Sequence, residues 1–531
     1  MTSIQGNGIL LPSWVFTDDF NENLSLDQDN SDFGDYRILY NPVNEYDFNS
    51  TPDIGVKAYQ SVSKINYKYA IIINLNYLLQ ASERDKKEAE KLKKSEKVEK
   101  VNLNQEKFRN AIFDLSNSLK GTKLKIGKIF VSEDIFDTEI SNAILTDVSS
   151  LIIESAILAK YHYKDEEVKK FHWFELLSSD SRKCSGQGKA EIHGHAQNHT
   201  RFLTEAPANI ISPTGFINYI KKLIVKYDLT NDIEVIVRDK DWMKVQNMNL
   251  ILSVASGSID VQPPYFLEMH LNRKKNEISK PKLALIGKGI TFDTGANTLK
   301  HYSHMEDMRT DMGGAAICAL TIISLARTMK ANKIKSENGQ HICALCPMTE
   351  NMIDGNAMRP LDVVTSHSGK TVCLTDLDAE GRLVMADALS YADKELKAEY
   401  LIDIATLTGA VETALGHIST GVWTTNSDFY GLLEKSGYNT CERFHNLPLY
   451  QIHRERMEDT RYADITNYIE KPPGATNAAA FLSAFHNNEN WLHIDVGGSM
   501  ENKNNACKFI SETFSGRPVR AIVDLAEKMC L

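Results

Sequence analysis

The sequence predicts an α/β fold of two domains: an N-terminal α/β domain, and a C-terminal α/β domain with a central mixed sheet flanked by helices. Three observations support this prediction. The chain has 531 residues, which is more than one hydrophobic core normally supports. Its composition, with 42% hydrophobic and 24% charged residues, is typical of globular proteins. Apolar runs that suit buried strands alternate with helical segments along the chain.

Residues 1–180 are predicted to form the N-terminal α/β domain. Its predicted strands are 69–75 (YAIIINL) and 125–131. Its predicted helices are 108–119 and 149–160. A charged helical insertion is expected at about 83–107. Within it, eight basic and six acidic side chains interleave over residues 83–100. This pattern indicates a solvated helix with i,i+4 ion pairs rather than a binding tail.

The second domain is predicted over residues 213–531, and residues 181–212 are interpreted as a linker helix region that begins in the polar stretch 178–189. Its predicted strands are 282–286, 342–345, 400–404 and 491–496. Its predicted helices are 313–328, 383–396 and 517–529. Ligands of such sheets bind in the loops beyond the carboxyl ends of the strands, and the unusual residues of this chain lie in those loops.

The overall charge and the cysteines limit the class of protein. A formal charge of −10 argues against nucleic-acid binding, which needs a concentrated basic surface. We expect no secretory signal, because the first residues contain no basic region followed by an apolar core, and no membrane span, because no apolar run approaches ~18 residues. The eight scattered cysteines favour reduced thiols in the cytoplasm. We interpret the C-x-x-C of Cys343 and Cys346 as part of a buried strand rather than a redox or metal site.

Two glycine-containing segments carry charged residues directly after or before regular elements. The segment GKGITFDTGANTLK at 287–300 follows a predicted strand and presents Lys288, Asp293 and Lys300. A phosphate-binding loop is the alternative, but the pattern G-x-x-x-x-G-K-[ST] is absent. The segment MRTDMGG places Asp311 just before an alanine-rich helix, and taken alone this aspartate could simply cap that helix.

A third segment, DLDAEGRL, is the most informative. Asp376, Asp378 and Glu380 alternate, so in an extended loop they would project to one side and repel one another. A divalent cation would reverse the sign of that interaction; the alternative is an acidic turn at a helix N-terminus. With Asp293 and Asp311 there are enough carboxylates for two ions, which together can activate water and stabilise an oxyanion. These residues alone do not distinguish a peptide from a phosphate-ester substrate.

The three segments together resemble the leucyl aminopeptidase family, the cytosol aminopeptidases. The family pattern is approximately G-K-G-x-x-[FY]-D-[ST]-G-G-x-x-x-K, M-[KR]-x-D-M-x-G-A-A and N-T-D-A-E-G-R-L, and this chain matches in the same order. Further similar segments are TEAPANIISP at 204–213, ATLTG at 405–409, AAAFL at 478–482, HIDVGGSM at 493–500 and GRPV at 516–519. The resemblance extends from about residue 197 to the C-terminus, whereas residues before about 180 are only loosely similar.

The resemblance implies two divalent metal ions per subunit, zinc or, at the exchangeable position, manganese, magnesium or cobalt. Asp293, Asp378 and Glu380 would bind one ion, and Glu380 would bridge to the other. Lys288 and Asp311 would bind that second ion together with Asp293. A lysine ligand is unexpected from the residues alone, because an ammonium must lose its proton before it can bind a cation.

The resemblance also implies the catalytic groups and the substrate. Lys300 would polarise the scissile carbonyl and stabilise the oxyanion, and Arg382 would hold a bicarbonate as proton shuttle, so that no side chain need be the general base. The substrates would be peptides, from which the enzyme removes single N-terminal residues. The enzyme would be a cytoplasmic homohexamer. Five matching positions would form an apolar pocket for leucine or methionine, or else pack in the core: Met308, Thr406, Gly409, Gly497 and Met500.

Two departures from the family pattern bear on activity. Asp376 and Leu377 replace N-T, which adds a negative charge beside the expected metals. Ala296 replaces the second glycine of the turn, which constrains the backbone if that position is left-handed. Since neither change removes an expected ligand, we predict an active enzyme. The alternatives are a catalytically impaired homologue with a structural or binding role, and a two-metal phosphoesterase suggested by the carboxylates alone.

Overall fold

The computed structural model describes residues 56–62, 67–73, 109, 125–131, 158, 175–177, 187–273, 280–334, 339–503, 510 and 513–531. The chain forms two compact units, one of residues 1–160 with 167–191 and one of residues 161–166 with 192–531. The charged insertion at 83–107 and the two predicted N-terminal helices lie outside the described residues, apart from Arg109 and Leu158, which are helical. The domain limits at 180 and 212 stay a prediction.

The first unit contains a four-stranded sheet in the order β1-β2-β3-β4. Its strands are β1 (Val56–Val62), β2 (Tyr67–Ile73), β3 (Lys125–Val131) and β4 (Glu175–Leu177). β1 and β2 are antiparallel, whereas β3 is parallel to both β2 and β4. The predicted strand at 125–131 is confirmed, and the strand predicted at 69–75 begins two residues earlier, because Tyr67 and Lys68 also pair with neighbouring strands.

The second unit is organised around a nine-stranded mixed sheet, as the sequence predicts. Its order is β14-β13-β16-β12-β7-β9-β6-β5, with β8 paired to β9. The strands are β5 (Ile233–Arg238), β6 (Tyr265–Leu271), β7 (Leu283–Gly287), β8 (Gly289–Asp293), β9 (Ile342–Asn351), β12 (Tyr400–Ala405), β13 (Ser419–Trp423), β14 (Arg443–Asn446) and β16 (Trp491–Asp495). The central strands β16, β12, β7 and β9 are parallel, so their carboxyl ends meet at one edge.

A small three-stranded sheet of the second unit has the order β10-β11-β15. Its strands are β10 (Asp362–Thr365), β11 (Thr371–Leu374) and β15 (Ile465–Thr466). β11 pairs with β10 in antiparallel and with β15 in parallel orientation. The loop with the three acidic residues follows β11, so this small sheet determines where that loop begins.

Helices of the second unit, among them Gly313–Ala331 and Gly381–Lys394, pack against the sheet. The helices described are Gln187–Glu205, Pro213–Lys226, Lys240–Val245, Asn249–Ala255, Tyr302–Met305, Gly313–Ala331, Gly381–Lys394, Gly409–Leu415, Ser427–Thr440, Gln451–Glu458, Gly474–Leu482 and Val519–Cys530, with a 3-10 helix at Glu306–Thr310. Two of them, Gly313–Ala331 and Gly381–Lys394, are hereafter the Gly313 helix and the Gly381 helix. Both are predicted by the sequence: the Gly313 helix begins where predicted and ends three residues later, and the Gly381 helix begins and ends two residues earlier than predicted.

The core lies on both faces of the large sheet. Successive residues of a strand point to opposite faces, and β7 accordingly places Leu283 and Leu285 in one buried cluster and Ala284 and Ile286 in another. Cys346 and Cys343 of β9 are likewise divided between the two clusters. Both are buried free thiols, which confirms that this C-x-x-C belongs to a buried strand.

One helical stretch among the described residues, Tyr302–Ala331, is long and apolar enough by composition to cross a membrane. Its most apolar window has a mean hydropathy of 1.5 and is 94% buried inside the protein. Alanines and glycines allow this stretch to approach the sheet closely: a Cβ on Gly314 would lie 1.9 Å from the carbonyl oxygen of Ile404. The stretch is therefore a core helix of the second unit.

Candidate metal centre

The charged residues of the three segments meet at the carboxyl edge of the parallel strands. Lys288 directly follows β7, and Asp293 is the last residue of β8. Asn351 ends β9, and Thr406 directly follows β12. Parallel strands bring these chain positions together, although more than a hundred residues separate the first from the last.

The turn after β8 requires left-handed backbone at two consecutive residues. Gly295 has φ of +80° and Ala296 has φ of +46°, so the position that departs from the family glycine is indeed left-handed. Ala296 is buried, and a non-glycine residue in this region is strained by about 1–2 kcal/mol. Within this turn the Gly295 N–H donates a hydrogen bond to Asp293 Oδ1 at 2.8 Å, which orients that carboxylate.

Three carboxylates form the first part of the centre. One oxygen from each of Asp293, Asp378 and Glu380 lies within 4.8 Å of the other two. Lys300 enters this group: its Nζ lies 2.8 Å from Asp293 Oδ2 and also contacts Asp378 Oδ1. Asp293 and Glu380 are buried, whereas the Asp378 side chain is 34% exposed, so the group opens toward solvent on the Asp378 side.

The second part of the centre is a buried lysine between two carboxylates. Lys288 Nζ lies 2.7 Å from Asp311 Oδ2 and 2.9 Å from Glu380 Oε1. It also donates to the Thr406 carbonyl at 3.0 Å, and the Thr406 hydroxyl donates to Asp311 Oδ1 at 2.8 Å. Asp311 does not cap the helix that follows, since that helix begins after Met312 without a side-chain cap. The capping alternative is therefore wrong.

The aspartates of the centre bind protons more tightly than usual. Burial raises the pKa of Asp293 and that of Asp311, and the neighbouring Glu380 charge raises both further against the lowering effect of the lysines. Burial, together with Asp293 and Glu380, raises the pKa of Asp378 to about 7. Crowded like charges in a poorly solvated site account for these shifts.

The lysines and Glu380 shift in the complementary direction. Burial alone would lower the pKa of Lys288 and of Lys300, but the surrounding carboxylates outweigh it and raise both. Burial would raise the pKa of Glu380, but the two lysines lower it overall. With no other cation present, both lysines are therefore ammonium ions and act as counter-ions.

This donor set fits divalent cations. Four carboxyl groups surround two ammonium groups, so this largely buried site has an excess of negative charge when all four are ionised. Within the described residues, Glu380 Oε2 is buried and has no hydrogen-bond partner. An unpaired buried carboxylate oxygen is costly, and hard or borderline cations bind oxygen ligands of this kind.

Arg382 lies two residues beyond Glu380, in the first turn of the Gly381 helix. Its Nη1 donates to the Asn467 carbonyl at 2.8 Å. Its Nε is buried and has no hydrogen-bond partner among the described residues. Burial lowers the pKa of Arg382, although Glu380 opposes this. A buried guanidinium with a free donor is suited to a small anion.

Asp376 does not join the carboxylate group, contrary to the prediction from alternation. Its Oδ1 instead accepts hydrogen bonds from the Thr298 hydroxyl at 3.1 Å and from the Asp378 N–H at 3.0 Å. The chain from Asp376 to Glu380 contains a turn rather than an extended strand, so Asp376 does not share the side on which Asp378 and Glu380 meet. The added negative charge is thus used to hold the loop backbone.

The positions expected to line a pocket fall into two loops and the helices beside them. Thr406 contacts Lys288 and Asp311, as described above. Gly409 is exposed, with no atom within 4 Å of a Cβ built on it. Met308 and Gly497 are partly buried. Asp495 joins the two loops, because its Oδ1 accepts from both Leu407 N and Gly497 N at 3.0 Å.

Met500 differs from the other four positions because it is completely buried. Its methyl group packs on the start of the Gly313 helix, where a Cβ added to Gly313 would lie only 2.5 Å from Met500 Cε. This packing is compatible with both interpretations of Met500, the wall of a pocket and the protein core. This contact places Met500 next to Gly313, which lies two positions after Asp311.

Three polar residues support the centre and were not predicted from the sequence. Asn351 Nδ2 donates to Asp293 Oδ1 at 2.8 Å and to the Leu377 carbonyl at 3.0 Å. The other two, which hold the acidic loop, are Thr298 and Asn467. For Asn351, the sequence signal that could have identified it is a polar residue at the end of a buried strand, β9.

Comparisons with known proteins agree with the geometry. The cytosol aminopeptidase family, catalytic domain, matches residues 198–523. The cytosol aminopeptidase of Xenopus tropicalis is 35% identical over 71% of this chain and 70% of its own length. That of Homo sapiens is 37% identical over 70% of this chain and 69% of its own.

Solved structures show the same fold. A mutant tomato leucine aminopeptidase superposes with a TM-score of 0.65 at 27% identity, over 80% of this chain and 79% of that chain. The bottromycin maturation enzyme BotP in complex with Mn has a TM-score of 0.66 at 24% identity, over 80% and 87%; this likeness concerns the fold alone. These relatives leave no support for the phosphoesterase alternative. The chain belongs to the cytosol aminopeptidase family and is a metal-dependent aminopeptidase.

Proposed function

We propose that this aminopeptidase uses two divalent ions to release single apolar residues, leucine or methionine in particular, from the N-termini of peptides. The observation that carries the proposal is the convergence of four carboxylates from three separate loops around only two lysines. A structural role alone does not account for this excess of charge, because buried carboxylates are costly without partners.

Each ion has a distinct set of proposed ligands. Asp293, Asp378 and Glu380, whose oxygens are within 4.8 Å of each other, would hold one ion. Asp311 and Lys288 would hold the second, together with Asp293 and the bridging Glu380. Lys288 has to give up its proton on binding, because an ammonium has no lone pair. Paired ions of this kind polarise a carbonyl and supply a nucleophile at neutral pH.

Zinc is the proposed resident metal, and manganese, magnesium or cobalt would enter the exchangeable site. Oxygen ligands and one amine nitrogen suit ions of this class. Manganese is the natural first choice for a test, since a protein of the same fold is named as a complex with Mn.

Lys300 and Arg382 are the proposed catalytic side chains. Lys300 Nζ already lies among the metal-binding carboxylates, close to where a carbonyl oxygen bound there would need a positive charge. Arg382 has a buried Nε without a partner among the described residues, which is suited to bicarbonate. Arg382 would hold the bicarbonate there, and the bound anion would supply a proton acceptor.

The proposed pocket for the first side chain consists of Met308, Thr406, Gly409, Gly497 and Met500. Asp495 fixes two of the loops involved, and Met500 supplies an adaptable apolar surface. We further propose peptides as substrates of a cytoplasmic homohexamer. Light scattering on the purified protein would test the assembly, and a monomer at micromolar concentration would refute it.

A catalytically impaired homologue with a binding role is the second candidate. The observation that favours it is the left-handed Ala296, with φ of +46° beside the ligand Asp293. Strain at that turn would alter the carboxylate position. Activity of the unmodified protein on any aminoacyl amide, after loading with zinc or manganese, would exclude this candidate.

One experiment tests the main proposal. The protein is stripped of metal, reloaded with manganese or zinc, and assayed on a panel of aminoacyl amides with and without bicarbonate. Asp378→Ala is expected to lose metal binding and turnover while remaining folded. Lys300→Ala is expected to keep its metal but lose about 10²–10³-fold in kcat, the usual effect of removing one oxyanion donor. Turnover at the unmodified rate in either variant would refute the assigned role.

A further inference from the structure

Asn467 directly follows β15 and lies beneath the acidic loop. Its side chain is completely buried. Its N–H donates to the Cys373 carbonyl at 3.1 Å, which fixes its backbone to β11, the strand from which the acidic loop emerges. The carboxamide is thereby directed at the loop from a position about ninety residues away in sequence.

Both ends of the Asn467 carboxamide bind the loop backbone. Oδ1 accepts from the Thr375 N–H at 2.8 Å and the Thr375 hydroxyl at 3.2 Å. Nδ2 donates to the Asp376 carbonyl at 2.5 Å and, more weakly, to the Ala379 carbonyl at 3.4 Å. These contacts enclose Asp378, so one side chain fixes the chain on both sides of that residue.

The same residue also orients Arg382. The Asn467 carbonyl accepts from Arg382 Nη1 at 2.8 Å, which leaves the guanidinium Nε as a free buried donor. The acidic loop and the arginine therefore share one fixed point. A displacement of Asn467 would move both.

The loop needs such support for two physical reasons. Its backbone is irregular and partly buried, and buried N–H and C=O groups outside regular structure require partners. In addition, the carboxylates of Asp293, Asp378 and Glu380 lie within 4.8 Å of each other and repel one another, which favours separation of the loops. Only asparagine or glutamine offers an acceptor and two donors in one uncharged group, and glutamine is one methylene too long for these distances.

We propose that Asn467 is a positioning residue that sets the geometry of both the metal-binding loop and Arg382. The proposal rests on the ligand roles assigned above to Asp378 and Glu380. Partners that orient metal ligands commonly change metal affinity or activity by 10–100-fold when replaced. Such a residue touches neither metal nor substrate, so its effect should appear in metal binding as well as in turnover.

Asn467→Asp is the decisive variant because the two possible effects have opposite signs. The aspartate has the same size and keeps the acceptor Oδ1. It replaces the two N–H donors of Nδ2 by a second acceptor oxygen and adds a negative charge near the proposed metals. If charge alone mattered, affinity for manganese would rise. If position matters, affinity falls, and we expect a 10–100-fold loss by calorimetric titration of the metal-free protein.

A second variant and a control separate positioning from folding. Asn467→Ser is expected to show a smaller loss of affinity, since its hydroxyl retains part of the hydrogen bonding. The control is Asn488→Asp: Asn488 similarly accepts from Asn490 N at 2.8 Å and donates to the Ala398 carbonyl at 2.8 Å, but at the amino end of β12. It is expected to bind manganese as the unmodified protein does.

Asn467→Asp should also change the response to bicarbonate, because the Arg382 site is disturbed together with the metal site. We expect the stimulation of kcat by bicarbonate to fall at saturating manganese, with folding monitored by circular dichroism. Unchanged or higher manganese affinity in both folded Asn467 variants would overturn the proposal. If Asp378→Ala also bound manganese normally, the ligand assignment itself would fail, so the two failures are distinguishable. If Asn467→Asp and Asn467→Ser both failed to fold while Asn488→Asp folded, Asn467 would have a general structural role, and its role as a positioning residue would be refuted.

Discussion

Gly381→Ala is a small change that should disrupt the centre from the start of a helix. Gly381 is the first residue of the Gly381 helix, and its φ is not in the left-handed region, so alanine fits the backbone. A Cβ placed there would lie 2.4 Å from Lys288 Cε and 2.6 Å from Lys288 Nζ. Both distances are too short, so the end of the Lys288 side chain has to move.

The magnitude follows from what Lys288 loses when it moves. Its Nζ lies 2.7 Å from Asp311 Oδ2 and 2.9 Å from Glu380 Oε1, with all three side chains at most 6% exposed. Breaking a buried ion pair costs about 3–5 kcal/mol, whereas glycine to alanine in a helix gains at most about 1 kcal/mol. The loss exceeds the gain, and we expect a net destabilisation of about 2–4 kcal/mol in metal-free protein.

The measurement is urea denaturation of the chelator-treated protein, with free energies from linear extrapolation. Gly431→Ala is the matched control: Gly431 is an exposed position in the helix Ser427–Thr440, with no atom within 4 Å of a Cβ built on it. That change should stabilise the protein by about 0.5–1 kcal/mol. Equal stability of the two variants would show that Lys288 moves at no cost, which would refute the reasoning. The same Gly381→Ala protein should bind manganese more weakly, as Lys288 is a proposed ligand.

Two further predictions concern the surroundings of the centre. Thr298→Val removes a hydroxyl that accepts hydrogen bonds from the N–H groups of Leu377 and Asp378, each at 3.0 Å. Calorimetric titration of this variant should show about tenfold weaker manganese binding. Unaltered binding would contradict a role of these hydrogen bonds in metal binding. Asp387 is buried, and burial raises its pKa to about 7 against the backbone N–H bonds that it accepts. Since this folded-state value is above the unfolded one, its stabilising contribution is complete below about pH 4 and is lost as the pH rises through 7. Asp387→Asn should therefore reduce the decline of unfolding free energy between pH 4 and 7, and an identical pH profile would refute the assignment.

The sequence identified the groups that carry charge but not those that hold them. Lys288 and Asp293 stood out as charged residues in a glycine-containing segment after an apolar strand, and Asp311 as an aspartate just before an alanine-rich helix. Asn351 and Asn467 did not stand out, since a single asparagine after a strand is ordinary in any loop. Their contacts join residues that lie tens of positions apart, and short-range patterns contain no information on such pairs.

Asp376 illustrates the opposite error. Its alternation with Asp378 and Glu380 predicted a common direction, but that inference assumed an extended backbone between them. Hydrogen bonds from Thr298 and Asp378 to the Asp376 carboxylate produce a turn instead. The family resemblance had already indicated a difference at this position, and the structure gives it a local role in shaping the loop.

The two lysines explain how so acidic a centre can exist in a folded protein before any ion binds. Each lies between carboxylates from different loops: Lys288 joins Asp311 to Glu380, and Lys300 joins Asp293 to Asp378. Unpaired carboxylates at these distances would repel by several kcal/mol in a poorly solvated site. The positive charges of the lysines hold the loops together, so the carboxylates are already assembled when a divalent ion enters. It follows that metal affinity depends on how readily Lys288, as a proposed ligand, loses its proton and on how readily Lys300 moves away from the carboxylates. Lys288, with 4% of its side chain exposed, is the more constrained of the two, and Lys300, with 14%, the freer.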